Sequence, residues 1–259
     1  MKRLGLALSA GGPRGIAHLG VLQALVEAGI PIRAIAGTSV GSYVGGLFAA
    51  GLSLTEIGRL WEETGFRQTA RFLLPTFPWR GWSSGEELRR TLVGIVGERM
   101  VEDLPIPFVA VATDLRSGLP VAIRTGKLAD AIRASLSVPG LFVPVERDGR
   151  TLIDGGLAHP LPVDMVRDLG AEVVVAVDVL VSPSEKHLSR VTVFAVLFQM
   201  ATIFQKRIAQ LEAAVLRPDV VIRPDFEEAP PTYVSAGIGA EVGYRAAQAA
   251  LPQIRALCA

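Results

Sequence analysis

Residues 37–41 read Gly-Thr-Ser-Val-Gly. Ser39 lies between two glycines, after an apolar strand-like run (Ala34–Ala36) and before a glycine-rich stretch with helical spacing (Ser42–Ala50). In a G-x-S-x-G elbow the serine occupies a strained strand-to-helix turn. Gly37 and Gly41 are needed there because a Cβ would strike neighbouring backbone. The helix N-terminus behind Ser39 favours developing negative charge. A turn without chemistry satisfies the same five letters, so the motif needs companions.

Two other stretches could supply them. Ser9-Ala10-Gly11-Gly12-Pro13-Arg14-Gly15 links an expected strand to an expected helix. Acyl transfer needs backbone N–H groups aimed at an oxyanion, and Gly11 and Gly12 let the backbone approach closely. Pro13 has no N–H to give. A phosphate loop is the rival reading, but neither G-x-G-x-x-G nor G-x-x-x-x-G-K-[ST] is met. Leu152-Ile153-Asp154-Gly155-Gly156 ends an apolar run on a carboxylate, and the Gly155-Gly156 turn would leave that carboxylate projecting. Asp followed by Gly is also a common structural turn.

A nucleophilic serine needs a proton acceptor, and the chain has three histidines. His18 reads as a packing or capping residue and His187 as a solvated one. His159 follows Asp154 in the serine, acid, histidine order of α/β hydrolases. The double-glycine turn and Pro160 argue against a triad made from so short a stretch, and a Ser39–Asp154 dyad is the favoured reading. A carboxylate of ordinary pKa, about 4, matches a serine hydroxyl poorly, so geometry and desolvation must contribute.

The elements that would position these groups alternate. Strand-like runs occur at Leu4–Leu8, Ala34–Ala36, Phe108–Ala112, Val121–Arg124 and Val173–Val177. Helical spacing occurs at Ala17–Ala28, Ser42–Ala50, Gly85–Val96 and Pro162–Leu169, and a further helix starts near Ala236. Such alternation predicts a largely parallel sheet covered on both faces, with sites at the strands' carboxyl ends. A length of 259 residues, half of them hydrophobic, fits one domain over 1–259. A helix over about 190–216 places Val193, Leu197, Met200, Phe204, Ile208 and Leu211 on one stripe. The core is its default destination, with a membrane surface or a second subunit as the alternative. Phe66–Ser84 is irregular and aromatic, and reads either as a packed surface loop or as a cover over a lipid-facing site.

A net charge of +1 argues against a nucleic-acid partner. The lone cysteine, Cys258, precludes an internal disulfide or a cysteine metal cluster, and the cytoplasm is the expected compartment. The basic, apolar N-terminus is interrupted by glycines and Pro13 before signal-peptide length, and reads as a strand. No run reaches the roughly 20 apolar residues of a membrane span.

AGGPRGIAHLGVLQAL, GTSVGS, VATDLRSG, ASLSVPGLFVPV and the Asp154-Gly155-Gly156 block with Leu161-Pro162-Val163, in this order, resemble the patatin-like phospholipase family, and its short bacterial members most. The resemblance implies a three-layer α/β/α sandwich and a Ser39–Asp154 dyad. It also implies an oxyanion loop in which Gly11 and Gly12 are completed by Arg14 and Gly15, and no metal or organic cofactor. The implied activity is hydrolysis of phospholipid, lysophospholipid or other fatty-acyl esters, with peripheral membrane contact and homo-oligomerisation open. A weakly catalytic regulatory or adaptor protein on the same fold, and a Ser-Asp-His esterase using His159, are the alternatives. Ala10 replaces the glycine that usually opens the family loop, Pro13 stands where a small residue is common, and His159 stands where relatives carry a polar amide.

Overall fold

The computed structural model describes residues 2–63, 83–180, 193–226 and 236–259. His187, and Phe66–Ser84 apart from Ser83 and Ser84, lie outside the described residues. The strands are β1 (Leu4–Leu8), β2 (Ile32–Thr38), β3 (Phe108–Asp114), β4 (Pro120–Ile123), β5 (Val145–Arg147), β6 (Arg150–Asp154), β7 (Val173–Val177) and β8 (Val220–Ile222). They form one sheet in the order β5-β6-β3-β2-β1-β7-β8, with β4 paired to β3. The helices are α1 (Ile16–Glu27), α2 (Val40–Ala49), α3 (Leu54–Glu63), α4 (Glu86–Val96), α5 (Leu128–Ser135), α6 (Val163–Asp168), α7 (Val193–Leu216) and α8 (Ala236–Cys258).

Period-two alternation divides the core into two layers. Leu4, Leu6 and Leu8 of β1 point to the face covered by α1, α2, α5 and α8. Ala7, Ala34, Ala36 and Ala176 line the other face, beneath Val163 and Val166 of α6 and Ala209 of α7. Small side chains on this second face let its helices sit close. A Cβ on Gly5 would come within 2.3 Å of Val166 Cγ1.

The sheet is parallel from β3 through β2, β1 and β7 to β8, and antiparallel where β4 and β6 join β3 and where β5 joins β6. It is therefore mixed. β5 and β6 form a hairpin around Asp148 and Gly149, whose φ angles of 50° and 72° suit a two-residue turn of the Asp-Gly type. That dipeptide was the signal available in the sequence for this departure from βα alternation. α3 also had a signal: Ser53 and Glu56 form a capping box, with the Ser53 N–H donating to Glu56 Oε2 at 2.8 Å and the Glu56 N–H to Ser53 Oγ at 3.2 Å.

The apolar stripe of α7 does not take its default place. Leu197, Met200, Phe204 and Leu211 are exposed, while Ala209 is buried and Glu212 turns inward. The inward face needs a carboxylate for a buried cation, described below, and small residues for close approach. No helix among the described residues is long and apolar enough to cross a membrane.

α1 and α8 cross at backbone contact. A Cβ on Gly20 would lie 1.8 Å from the Ala240 carbonyl oxygen, and one on Gly243 would lie 2.0 Å from that of Ala17. Backbone cannot yield as a flexible side chain can, so the helices would have to part. Gly20→Ala is expected to destabilise the protein by about 3 kcal/mol. The midpoint of urea denaturation measures this, and an unchanged midpoint would refute the tight crossing.

Candidate active site

The register of the sheet brings the serine and the acid level with one another. Thr38 of β2 pairs with Val111 of β3, and Ala112, the next residue on β3, pairs with Asp154 of β6. Ser39, one step beyond Thr38, therefore sits across β3 from Asp154. Its Oγ donates to Asp154 Oδ2 at 2.6 Å. Both residues are buried, at 6% and 2% exposure, so the hydrogen bond lies away from bulk water.

Ser39 has φ 54° and ψ −121°, a left-handed conformation that costs a non-glycine residue about 1–3 kcal/mol. The surrounding structure imposes it. A Cβ on Gly37 would be 2.4 Å from the Gly41 carbonyl oxygen, and one on Gly41 would be 2.3 Å from that of Leu8. Strand, turn and helix can pack this tightly only with glycine at both places. The Ser39 N–H donates to Ser135 Oγ at 2.8 Å, and that hydroxyl donates to the Val111 carbonyl at 2.6 Å. Ser42 Oγ donates to the Ser39 carbonyl at 2.6 Å. The elbow is thus pinned on both sides of its nucleophile position, and α2 directs its N-terminus at it.

Asp154 is held just as firmly. Its Oδ1 accepts the Gly156 N–H at 2.8 Å, which leaves Oδ2 for Ser39, and its carbonyl accepts Thr113 Oγ1 at 2.9 Å. Glycine is obligatory at 155, where a Cβ would fall 2.1 Å from the Val111 carbonyl oxygen. Burial pushes the Asp154 carboxyl up to about 6, against the opposing hydrogen bonds from Ser39 and Gly156. The group is mostly ionised at neutral pH, yet more basic than an ordinary carboxylate.

The glycine loop closes the third side. Residues 12–15 form a single 3₁₀ turn leading into α1. Gly11 caps this turn and Gly12 opens it, and N–H groups at a helix start have no partner within the helix. The Arg14 N–H turns back to the Gly11 carbonyl at 3.3 Å. A Cβ on Gly15 would meet the Val40 side chain at 2.2 Å, so the loop abuts the residue after Ser39. Ala10 reaches the acid turn, its N–H donating to the Pro160 carbonyl at 3.0 Å. Burial lowers the Arg14 pKa, and its Nε has no hydrogen-bond partner among the described residues.

Behind the loop, Ser9 Oγ accepts the Val179 N–H at 3.0 Å and donates to the Ala10 carbonyl at 2.8 Å. Holding that carbonyl back fixes the opposite edge of the same trans peptide, which is the Gly11 N–H. His18 is fully buried and its pKa falls to about 4, through burial against the opposing Ser9 hydrogen bond, so it is neutral. Its Nε2 therefore donates to the Ser9 carbonyl, at 2.9 Å.

His159 is placed elsewhere. Its Nδ1 lies 2.5 Å from Glu212 Oε1 and its Nε2 lies 2.6 Å from Asp164 Oδ1. Burial opposes its charge, but the two carboxylates more than offset this and raise its pKa to about 9. A cation donating from both nitrogens has no lone pair for a serine proton, so the geometry opposes the Ser-Asp-His alternative. Instead the imidazolium ties the acid loop to α6 and α7, and Glu212 Oε2 also accepts the Leu161 N–H at 2.8 Å. Glu212, Asp164 and Ser135 were not among the expected site residues. Glu212 acts from a helix 53 positions away, whereas Ser135 lies within the ASLSVPGLFVPV block and Asp164 directly follows Leu161-Pro162-Val163, so the signal for those two was in motifs already noted.

An α/β/α sandwich with a buried serine on a strand-to-helix elbow, a facing aspartate and a glycine loop defines a recognisable class of fold and site. The chain belongs to the patatin-like phospholipase family, whose model matches residues 6–167. It is 44% identical over 175 residues to an NTE family protein of Mycobacterium tuberculosis, a match covering 68% of this chain and 48% of that one. It is 38% identical over 179 residues to Lysophospholipase NTE1 of Saccharomyces cerevisiae, covering 68% of this chain and 11% of the yeast protein. The chain thus spans about half the length of the mycobacterial relative and about a tenth of the yeast one. The crystal structure of VipD from Legionella pneumophila aligns with a TM-score of 0.55 at 16% identity, over 97% of this chain and 67% of that one, a likeness of fold.

Proposed function

We propose that this chain is a single-domain serine acyl-ester hydrolase acting on phospholipid, lysophospholipid or other fatty-acyl esters. The observation that carries the reading is the 2.6 Å hydrogen bond from Ser39 Oγ to Asp154 Oδ2 in a site closed to bulk water. Family membership and the lysophospholipase name of the yeast relative support it.

Ser39 Oγ attacks the ester carbonyl carbon as its proton passes to Asp154 Oδ2. The carbonyl oxygen becomes an oxyanion and takes the N–H groups of Gly11 and Gly12, with the α2 N-terminus adding its field. Collapse breaks the ester C–O bond, and the leaving alcohol recovers the proton from Asp154. Water then attacks the acyl-Ser39 ester, giving its proton to Asp154, and the fatty acid leaves as Ser39 is restored. Burial serves this cycle by raising the basicity of Asp154 and by excluding solvent that would weaken the oxyanion contacts. Arg14, within the loop and with no hydrogen-bond partner at Nε among the described residues, is suited to position the loop or an anionic head group.

A fluorescent fluorophosphonate, assayed beside p-nitrophenyl esters of graded chain length, tests the reading. The wild type is expected to label at one site and to hydrolyse the esters, and Ser39→Ala is expected to do neither. A wild type inert to both would move the chain to the adaptor reading.

A further inference from the structure

We propose that the outward face of α7 is a docking surface for an anionic lipid layer, a partner assignment that rests on the acyl-ester reading of the neighbouring site. Leu197, Met200, Ile203, Phe204, Leu211 and Val215 recur at helical spacings and are between 43% and 74% exposed. Val196 on the same helix is exposed as well, and the other exposed large apolar side chains among the described residues are Val26 on α1, Ile238 on α8, and Leu115 and Leu119 in the β3–β4 turn. A continuous apolar strip along one helix is the arrangement that marks an interaction surface.

The opposite face of the same helix touches the catalytic loop. Gln205 Nε2 would lie 2.7 Å from a Cβ on Gly156, Ala209 is buried, and Glu212 binds His159 and the Leu161 N–H. One element therefore has the acid turn on one side and an apolar surface on the other. A layer seated on that surface would lie one helix diameter, about 10 Å, from the acid turn.

The charges choose the occupant. From Val193 to Leu211 the sequence has no acidic residue, and Lys206 and Arg207 are its only charges. Arg207 is exposed in the middle of the strip. Glu212, the first acid, is turned inward against the His159 cation. The outward face is thus apolar and basic, as an interfacial helix on anionic lipid is. A second copy meets it less well, since an antiparallel pairing about the strip's centre would gather both Arg207 cations near the axis. The helix is not apolar enough to span a bilayer, so its geometry is that of lying on one.

The test is flotation of the Ser39→Ala protein, which cannot consume lipid, with vesicles of phosphatidylcholine alone or mixed with phosphatidylglycerol. Binding is expected to require phosphatidylglycerol and to weaken with salt. It is expected to fall at least tenfold in Phe204→Glu/Leu211→Glu and severalfold in Arg207→Glu. In the wild-type background the double variant is expected to keep its rate on a short soluble ester, which shows that the site is intact. Absence of binding to the mixed vesicles, or binding indifferent to these variants, would overturn the proposal. So would a dimer in light scattering that the double variant dissociates while vesicles stay unbound. Vesicle binding through this face by a wild-type protein inert to esters would retain the docking surface and remove the hydrolase reading.

Discussion

Asp154→Asn is expected to lower kcat on a soluble acyl ester by about 10³ to 10⁴, with little change in KM, because the amide cannot take the Ser39 proton. The same substitution is expected to stabilise the fold at neutral pH. The carboxyl is raised to about 6 from the usual 3.8 by burial, so its neutral form is the one the folded protein prefers. The stabilisation from that preference is complete below about pH 4 and is lost as pH rises through about 6, which amounts to about 3 kcal/mol of missing stability at pH 8. An asparagine, never charged, escapes this loss. Urea midpoints should therefore separate the variant from wild type at pH 8 and converge near pH 4. Equal midpoints at both pH values would mean that Asp154 bears no desolvation cost.

The second large effect is on the pH profile. kcat/KM is expected to be flat near neutrality and to fall about tenfold per unit below about pH 6, as Asp154 takes up a proton and ceases to be a base. On the alkaline side the relevant group is His159, raised to about 9 by its carboxylate partners against the effect of burial. Its contribution to stability is fully present below pH 6.5 and is lost as pH rises through about 9. α7 should then loosen from the acid loop, and thermal stability should drop there in wild type but not in His159→Gln. A rate that stays level down to pH 4 would exclude Asp154 as the base. An unchanged alkaline drop in His159→Gln would assign that limb to another group.

What the letters disclosed and what they hid have separate physical causes. Glycines at 37, 41, 155 and 156, the serine at 39 and the acid at 154 are legible because each meets a local steric or chemical demand within a few residues. β1 and β7 were found with their observed bounds because they are buried on both faces, which leaves an uninterrupted apolar run. β5 escaped because three residues are too few to show a period, and the antiparallel course of β6 lies in a pairing that no single segment encodes. The orientation of α7 was hidden for a related reason. Its hydrophobic stripe is real, but its inward side was settled by Glu212, whose partner His159 stands 53 positions away.

The Ser39–Asp154 contact closes over 115 positions of chain, with β3 between its two halves. Neither half can find the other until β2, β3 and β6 have come into register, and such long closures come late in folding. The hydrogen bond is therefore a gauge of completed folding as well as a piece of chemistry. On the proposed mechanism, a molecule with its helices formed but its sheet unfinished would be silent to a serine-directed probe, and the fraction labelled would count native molecules.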